Sequence, residues 1–66
     1  MYNRGMKKRD LEKELKRLGW WYLREGGSHE IWTNGEKNEP IPRHTEINEY
    51  TAKGILKKAK NNPPKK

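Results

Sequence analysis

The chain has 66 residues, enough for one small domain with a single core. Charged residues make up 38% of it and apolar residues only 29%, so the fold depends on a few large side chains, among them three Trp and three Tyr. The absence of cysteine excludes disulfides, thiolate metal sites and a cysteine nucleophile. No apolar run reaches the roughly 20 residues of a transmembrane helix, and there is no signal-peptide pattern. We therefore expect a cytoplasmic protein with no membrane partner.

Positive charge is concentrated at the two ends of the sequence. The formal net charge is +7, with +4 in residues 1–18, −1 in residues 19–44 and +4 in residues 45–66. Basic segments around a nearly neutral middle are typical of nucleic-acid-binding proteins. A basic surface that only keeps the protein soluble would have the same composition, so charge leaves both interpretations open.

The first predicted element is a helix over residues 8–18. Leu11, Leu15 and Leu18 recur at intervals of four and three residues, which places them on one face of a helix. Gly19 follows directly and predicts the end of the helix, because glycine adopts the left-handed conformation of a helix stop at little cost.

Three strands are expected next, over residues 20–23, 28–33 and 36–41. Gly26–Gly27 marks the first turn, and Asn34–Gly35 favours a two-residue type I′ hairpin between the second and third strands. Pro40 lacks a backbone donor, which places the third strand at an edge of the sheet. The three strands should form an antiparallel meander.

A second helix is predicted over residues 51–59, followed from Asn61 by a polar, proline-containing tail that we expect to be frayed. Its apolar stripe consists of Ala52, Ile55, Leu56 and Ala59. The predicted fold class is α+β, with a three-stranded antiparallel sheet packed on two helices in the order α-β-β-β-α. We expect one domain over residues 6–60 and flexible ends at residues 1–5 and 61–66.

The only two histidines are the first candidates for chemistry. His29 follows a glycine turn, where the amides of Gly27 and Ser28 are suited to holding a phosphate. His44 follows Arg43 where the sheet leads into a connector, and an Arg–His pair there is also suited to a phosphate. The residues alone favour the simpler interpretations, which are a half-exposed strand histidine without a function at His29 and a polar loop at His44.

Motifs for metal or nucleotide cofactors are lacking. The chain has no HExxH and no clustered carboxylates, and no GK[ST] follows the paired glycines. We therefore expect neither a metal nor a small-molecule cofactor.

Several motifs together resemble the HicA family. They occur in a specific order: Gly19-Trp20, Gly27-Ser28-His29, Ile31-Trp32, Ile41-Pro42-Arg43-His44 and Ile55-Leu56-Lys57. The similarity extends over about residues 6–59. It departs from the family at the start of the first helix, where Lys8–Arg9 replaces the usual Ser, Thr or Asn, so this helix should lack a side-chain N-cap.

The resemblance implies a fold like that of double-stranded-RNA-binding domains and the activity of an mRNA-cleaving toxin. It also implies a HicB-type antitoxin as partner, which masks the active-site histidine, and it places that catalytic histidine at His29. The expected RNA-binding residues belong to the same set of motifs and are Gly27, Ser28, Arg43, His44 and Lys57.

RNA supplies its own nucleophile, so a protein this small needs only to position the 2′-hydroxyl and move protons. We expect metal-independent cleavage of mRNA with His29 as general acid or base, since an imidazole titrates near pH 6.5 and can do either. Two other functions remain open. One is a non-catalytic RNA-binding module of the same fold, and the other is an interaction protein whose basic surface binds an acidic partner.

Overall fold

The structure is a computed structural model that describes residues 5–64. Its elements in chain order are β1 (Gly5–Lys7), α1 (Lys8–Arg17), β2 (Trp21–Gly26), β3 (His29–Thr33), β4 (Asn38–Pro42), β5 (Glu46–Asn48) and α2 (Glu49–Asn61). The predicted α+β class and α-β-β-β-α order are confirmed, with two short strands added, one before α1 and one between β4 and α2. Neither helix in this part of the chain has the length and apolar character needed to cross a membrane.

Helix α1 matches its prediction closely. Leu11 and Leu15 are fully buried on its inner face, and the helix gives way at Gly19, whose φ is +93°. A Cβ at Gly19 would also lie only 2.5 Å from Pro64 Cγ, so the absence of a side chain makes room for the C-terminal segment. The N-cap residue Lys7 makes no side-chain capping bond, as expected from the sequence.

Strands β2, β3 and β4 form the predicted antiparallel meander, with β3 in the centre. The expected type I′ turn at Asn34–Gly35 is wrong, because that turn requires a positive φ at both residues and Asn34 does not have one. Instead, Thr33 pairs with Asn38 around a four-residue loop. The side chain of Asn34 accepts hydrogen bonds from the amides of Glu36 and Lys37, both at 2.7 Å, and this stabilises the longer loop.

The sequence analysis did not predict strands β1 and β5, which form a second, two-stranded antiparallel sheet. Met6 pairs with Ile47, and Gly5 pairs with Asn48. Gly5, placed by sequence in a flexible end, therefore lies in a strand. The remainder of that end, residues 1–4, and residues 65–66 of the other lie outside the described residues.

Helix α2 is longer than predicted at both ends. It begins after Asn48, whose side chain accepts a hydrogen bond from the Tyr50 amide, and it continues to Asn61. The segment predicted to fray begins at Asn61, which is the last residue of α2, and the indole N–H of Trp20 donates to the carbonyl oxygens of Ala59 (3.3 Å) and Asn62 (3.2 Å) at this end of the helix. The core between helices and sheets consists of Leu11, Leu15, Trp20, Trp32, Ile41, Ile47, Ala52, Ile55 and Ala59.

Candidate active site

The candidate site is built on the turn between β2 and β3. Gly26 pairs with His29, so Gly27 and Ser28 form a two-residue connection, both exposed. Gly27 has φ +70° and Ser28 does not have a positive φ, which is the pattern of a type II′ turn with glycine in its first central position. A Cβ at Gly27 would meet no atom within 4 Å, so the backbone of this turn is open to a ligand.

His29 is the first residue of β3 and points away from the helices. Its neighbour Glu30 contacts Lys8 of α1, and side chains alternate between the two faces of a strand. The imidazole is exposed and has no hydrogen-bond partner among residues 5–64. Both ring nitrogens are therefore available to a ligand.

Arg43, the residue directly after β4, holds the turn in place. Its guanidinium donates to the carbonyl oxygen of Gly27 at 2.8 Å and to the carboxylate of Glu25 at 3.2 Å. The structure thus brings Arg43 and the turn together. Because the Arg43 guanidinium is hydrogen-bonded to the backbone carbonyl of Gly27, its first role is to hold Gly27 in place.

His44 and Lys57 are less closely associated with this turn. His44 lies two residues beyond Pro42, the residue paired with His29, and is exposed in the connector. Lys57 is exposed on the second half of α2, and the end of that helix contacts Asn34 through Asn62. Asn34 follows the far end of β3, which lies four strand residues, about 13 Å, from His29.

A polar network lies beneath His29 on the inner face of the sheet. The carboxylate of Glu30 accepts hydrogen bonds from the indole N–H of Trp32 at 3.1 Å and from Lys8 at 3.0 Å. Lys8 also pairs with Glu12 on the next turn of α1. The network joins the start of α1 to the residue that follows His29.

The same contacts set the charge states of the network. Burial raises the pKa of Glu30, but the hydrogen bonds from Trp32 and Lys8 outweigh it and hold that pKa below its ordinary value. Burial also opposes the charged form of Lys8, yet its bonds to Glu12 and Glu30 raise the pKa of the amine. Both groups are charged at neutral pH.

Sequence reasoning missed the basic residues around the start of α1. Lys7, Lys8, Arg9 and Thr45 line a hollow with Arg43, although they come from β1, α1 and the connector between β4 and β5. Lys8 and Glu30 are 22 residues apart, and nothing in the local pattern indicates their contact. No group of three or more His, Asp or Glu side chains suited to a metal ion occurs within residues 5–64.

The fold and site define a small, basic α+β domain that presents an unpaired histidine on an exposed glycine turn. A family model described as the HicA toxin of bacterial toxin–antitoxin systems matches residues 9–60. This match spans most of the sequence, and the chain belongs to the HicA toxin family. HicA toxins are RNA-cleaving and act with a cognate antitoxin, which gives this protein a toxin's role. No curated protein and no solved structure shows a significant match.

Proposed function

We propose that this protein is a metal-independent endoribonuclease that cleaves mRNA in the cytoplasm and is blocked by a HicB-type antitoxin. The observation that carries the proposal is the position of His29, an exposed imidazole that lies on a glycine turn and has no hydrogen-bond partner among residues 5–64. Within an RNA-cleaving family, such a group is free to exchange a proton with a bound substrate.

The proposed reaction uses the 2′-hydroxyl of the RNA as nucleophile. Neutral His29 accepts the proton of the 2′-hydroxyl while its oxygen attacks the adjacent phosphorus. The bond from phosphorus to the 5′-oxygen breaks, leaving a 2′,3′-cyclic phosphate and, once the 5′-oxygen is protonated, a 5′-hydroxyl end. His44 or water supplies that proton. General acid–base catalysis contributes about 10²–10⁴-fold, so a single histidine predicts a slow enzyme.

The turn around His29 suits a phosphate group. Gly27 and Ser28 are exposed, and a Cβ added at Gly27 would meet no atom within 4 Å. Backbone amides in such a turn bind phosphate oxygens and stabilise negative charge in the transition state. Arg43 adds positive charge directly on the turn. A flexible single strand, rather than a duplex, allows the 2′-hydroxyl to align with the bond that breaks.

The test is cleavage of a 5′-labelled single-stranded RNA in EDTA by the parent protein and by His29→Ala, while His44→Ala separates His44 from water as the donor of the second proton. We expect cleavage by the parent, none by His29→Ala, and the same circular dichroism spectrum for both. RNA with a 2′-deoxy sugar before the cleaved bond should remain intact. Cleavage of the deoxy substrate, loss of cleavage in EDTA or full activity of His29→Ala would contradict the mechanism.

A non-catalytic RNA-binding module is the second candidate, favoured by the net charge of +7. It predicts that parent and His29→Ala bind RNA equally and that neither cleaves it. The antitoxin proposal has its own readout, because a small acidic protein encoded beside this gene should suppress cleavage and shield His29 from chemical modification.

A further inference from the structure

A groove runs along α1 where the helix faces β2 and β3 of the three-stranded sheet. It consists of two adjoining hollows that share Glu12 and Glu30. One, of about 510 Å³, contains Lys7, Lys8, Arg9, Arg43 and Thr45, and the other contains Lys16, Tyr22 and Trp32. We call the two together the α1 groove. Ten residues of α1 give it a length of about 15 Å.

The first hollow presents free positive charge. Lys7 and Arg9 are exposed and form no ion pair with any residue of the described segment. The carboxylates of Glu12 and Glu30 are both bound to Lys8, which neutralises part of their charge. The cations available to a ligand therefore lie at the start of α1, and the acidic groups lie in the middle of the groove.

This end of the α1 groove adjoins the His29 turn. Arg43 lines the hollow and also donates to the Gly27 carbonyl. A ligand bound between Lys7 and Arg9 thus lies beside Arg43, the residue that holds the turn. Thr45, on the same side, adds an exposed hydroxyl.

The second hollow presents an aromatic surface. The Tyr22 ring is 44% exposed, although it packs edge-on against Trp32 at 6.4 Å between ring centres and 78° between planes. Trp32 is buried, so it fixes the orientation of Tyr22 while leaving part of its ring open. Lys16 lies at the same hollow. An exposed aromatic ring beside a cation is the usual platform for an unpaired base.

We propose that the α1 groove binds a single RNA strand that continues from the His29 turn, with its phosphates on Lys7 and Arg9 and a base stacked on Tyr22. The inference rests on the proposed function, since it takes RNA as the ligand. Glu12 and Glu30 repel phosphate, which separates the phosphate positions at one end from the stacking position at the other. Binding by charge and stacking gives little sequence preference.

The test is fluorescence anisotropy with a short labelled single-stranded RNA whose 2′-hydroxyls are methylated, so that cleavage plays no part. The slope of log K against log salt is negative, and its magnitude falls by about 0.7 for each phosphate contact removed from single-stranded RNA. For the double variant Lys7→Ala/Arg9→Ala the magnitude of the slope should therefore fall by about 1.4. Lys13→Ala/Lys60→Ala removes the same charge from outside the groove and should leave the slope unchanged. Equal slopes for the two double variants would overturn the phosphate assignment.

The stacking assignment is tested on adjacent residues of β2. Tyr22→Ala should weaken binding by about 5- to 100-fold, and Tyr22→Phe should restore it, because the ring face is retained. Trp21→Ala is the matched control, since Trp21 is equally exposed but points to the other face of the strand. Thermal melts establish that each variant is folded at the assay temperature.

The binding readout is independent of cleavage. A parent that binds through Lys7, Arg9 and Tyr22 but does not cut RNA would retain the groove and overturn the ribonuclease. A parent that cuts RNA with His29, and whose groove variants all bind normally, would overturn the groove and retain the ribonuclease. The latter result leaves the α1 groove to a protein partner.

Discussion

The two ends of β3 carry two different kinds of hairpin connection. At the His29 end, Gly27 and Ser28 are exposed, and the Gly27 carbonyl is held by the side chain of Arg43. At the Asn34 end, Thr33 and Asn34 are buried, with exposed fractions of 4% and 3%. Both connections contain a glycine with positive φ, Gly27 and Gly35, so local backbone geometry alone does not explain the difference.

The Asn34 end is bonded in several directions. The side-chain amide of Asn34 donates to the Asn62 carbonyl at 2.8 Å, and its oxygen accepts from the backbone amides of Glu36 and Lys37 in the same loop. The hydroxyl of Thr33 donates to the Lys37 carbonyl and accepts from the Gly35 amide. Trp20 bonds to the same Asn62 carbonyl. This end therefore joins the sheet to the end of α2.

The comparison separates stability from reactivity. Buried polar groups that are fully hydrogen-bonded hold a fold together, and they leave no atom free for a ligand. The His29 end keeps its imidazole and its turn amides available, and it gains fewer contacts in return. A protein with so small a core places its reactive group where losing contacts costs least.

The largest effect is expected from Trp20→Ala at the Asn34 end. Truncating a buried tryptophan costs about 3–5 kcal/mol, which is comparable to the whole stability of a small domain. The indole also caps α2, so the variant should be largely unfolded in circular dichroism at 25 °C. A cooperative melt close to that of the parent would show that the Asn34 end does not carry the stability.

Asn34→Ala tests the loop itself. It removes one donor and one acceptor from a buried site and leaves the Asn62 carbonyl with fewer partners, at an expected cost of about 2 kcal/mol in the free energy of unfolding. Ser28→Ala at the other end is the matched variant and should change that free energy by less than about 0.5 kcal/mol. Urea denaturation compares them directly, and similar losses would contradict the asymmetry.

The low number of contacts at the His29 end applies only to the outer face of the sheet. On the inner face, Glu30 accepts hydrogen bonds from Lys8 and Trp32. Because the pKa of Glu30 is lowered on folding, its contribution is present above the ordinary value of 4.5 and lost as the pH falls through the lowered one. Glu30→Gln should cost about 1–2 kcal/mol at pH 7.

Denaturation of this variant at several pH values provides the check. The difference in unfolding free energy between parent and Glu30→Gln should shrink below pH 4.5 as the carboxyl of the parent becomes protonated. A difference that stays constant down to acid pH would show that the charge of Glu30 does not stabilise the fold.

The smallest effects are expected at the two turn glycines. Alanine in the left-handed region costs about 1 kcal/mol, which is the whole effect expected for Gly27→Ala because its Cβ would meet nothing. Gly35→Ala should cost more, since its φ is +99° and its Cβ would lie 3.3 Å from Trp21 Cη2. Equal melting temperatures for the two alanine variants would show that the two turn glycines do not differ in their contribution to stability.

Local signals in the sequence were sufficient for much of the fold. The leucine stripe and Gly19 define α1, because helix periodicity and a glycine stop depend only on neighbouring residues. The paired glycines place the turn before His29 within one residue, and Pro40 lies in an edge strand as predicted. The order of three strands between two helices follows from these elements.

Long-range contacts explain the errors. Strands β1 and β5 are three residues each and about 40 positions apart, so no local pattern reveals their pairing. Helix α2 extends to Asn61 because Trp20 satisfies carbonyls at its end. The Asn34–Gly35 signal does not yield a tight turn because Asn34 gains more by bonding to Asn62 in the interior.

The candidate site divides in the same way. Residue types and short spacings were enough to identify the family, the position of His29 after a glycine turn and the basic charge. They did not reveal that Arg43 holds this turn, that Lys57 lies toward the other end of β3 or that the α1 groove adjoins the site. Those arrangements arise from packing between elements distant in the chain, where the geometry of the shared core, and not local propensity, determines which side chains meet.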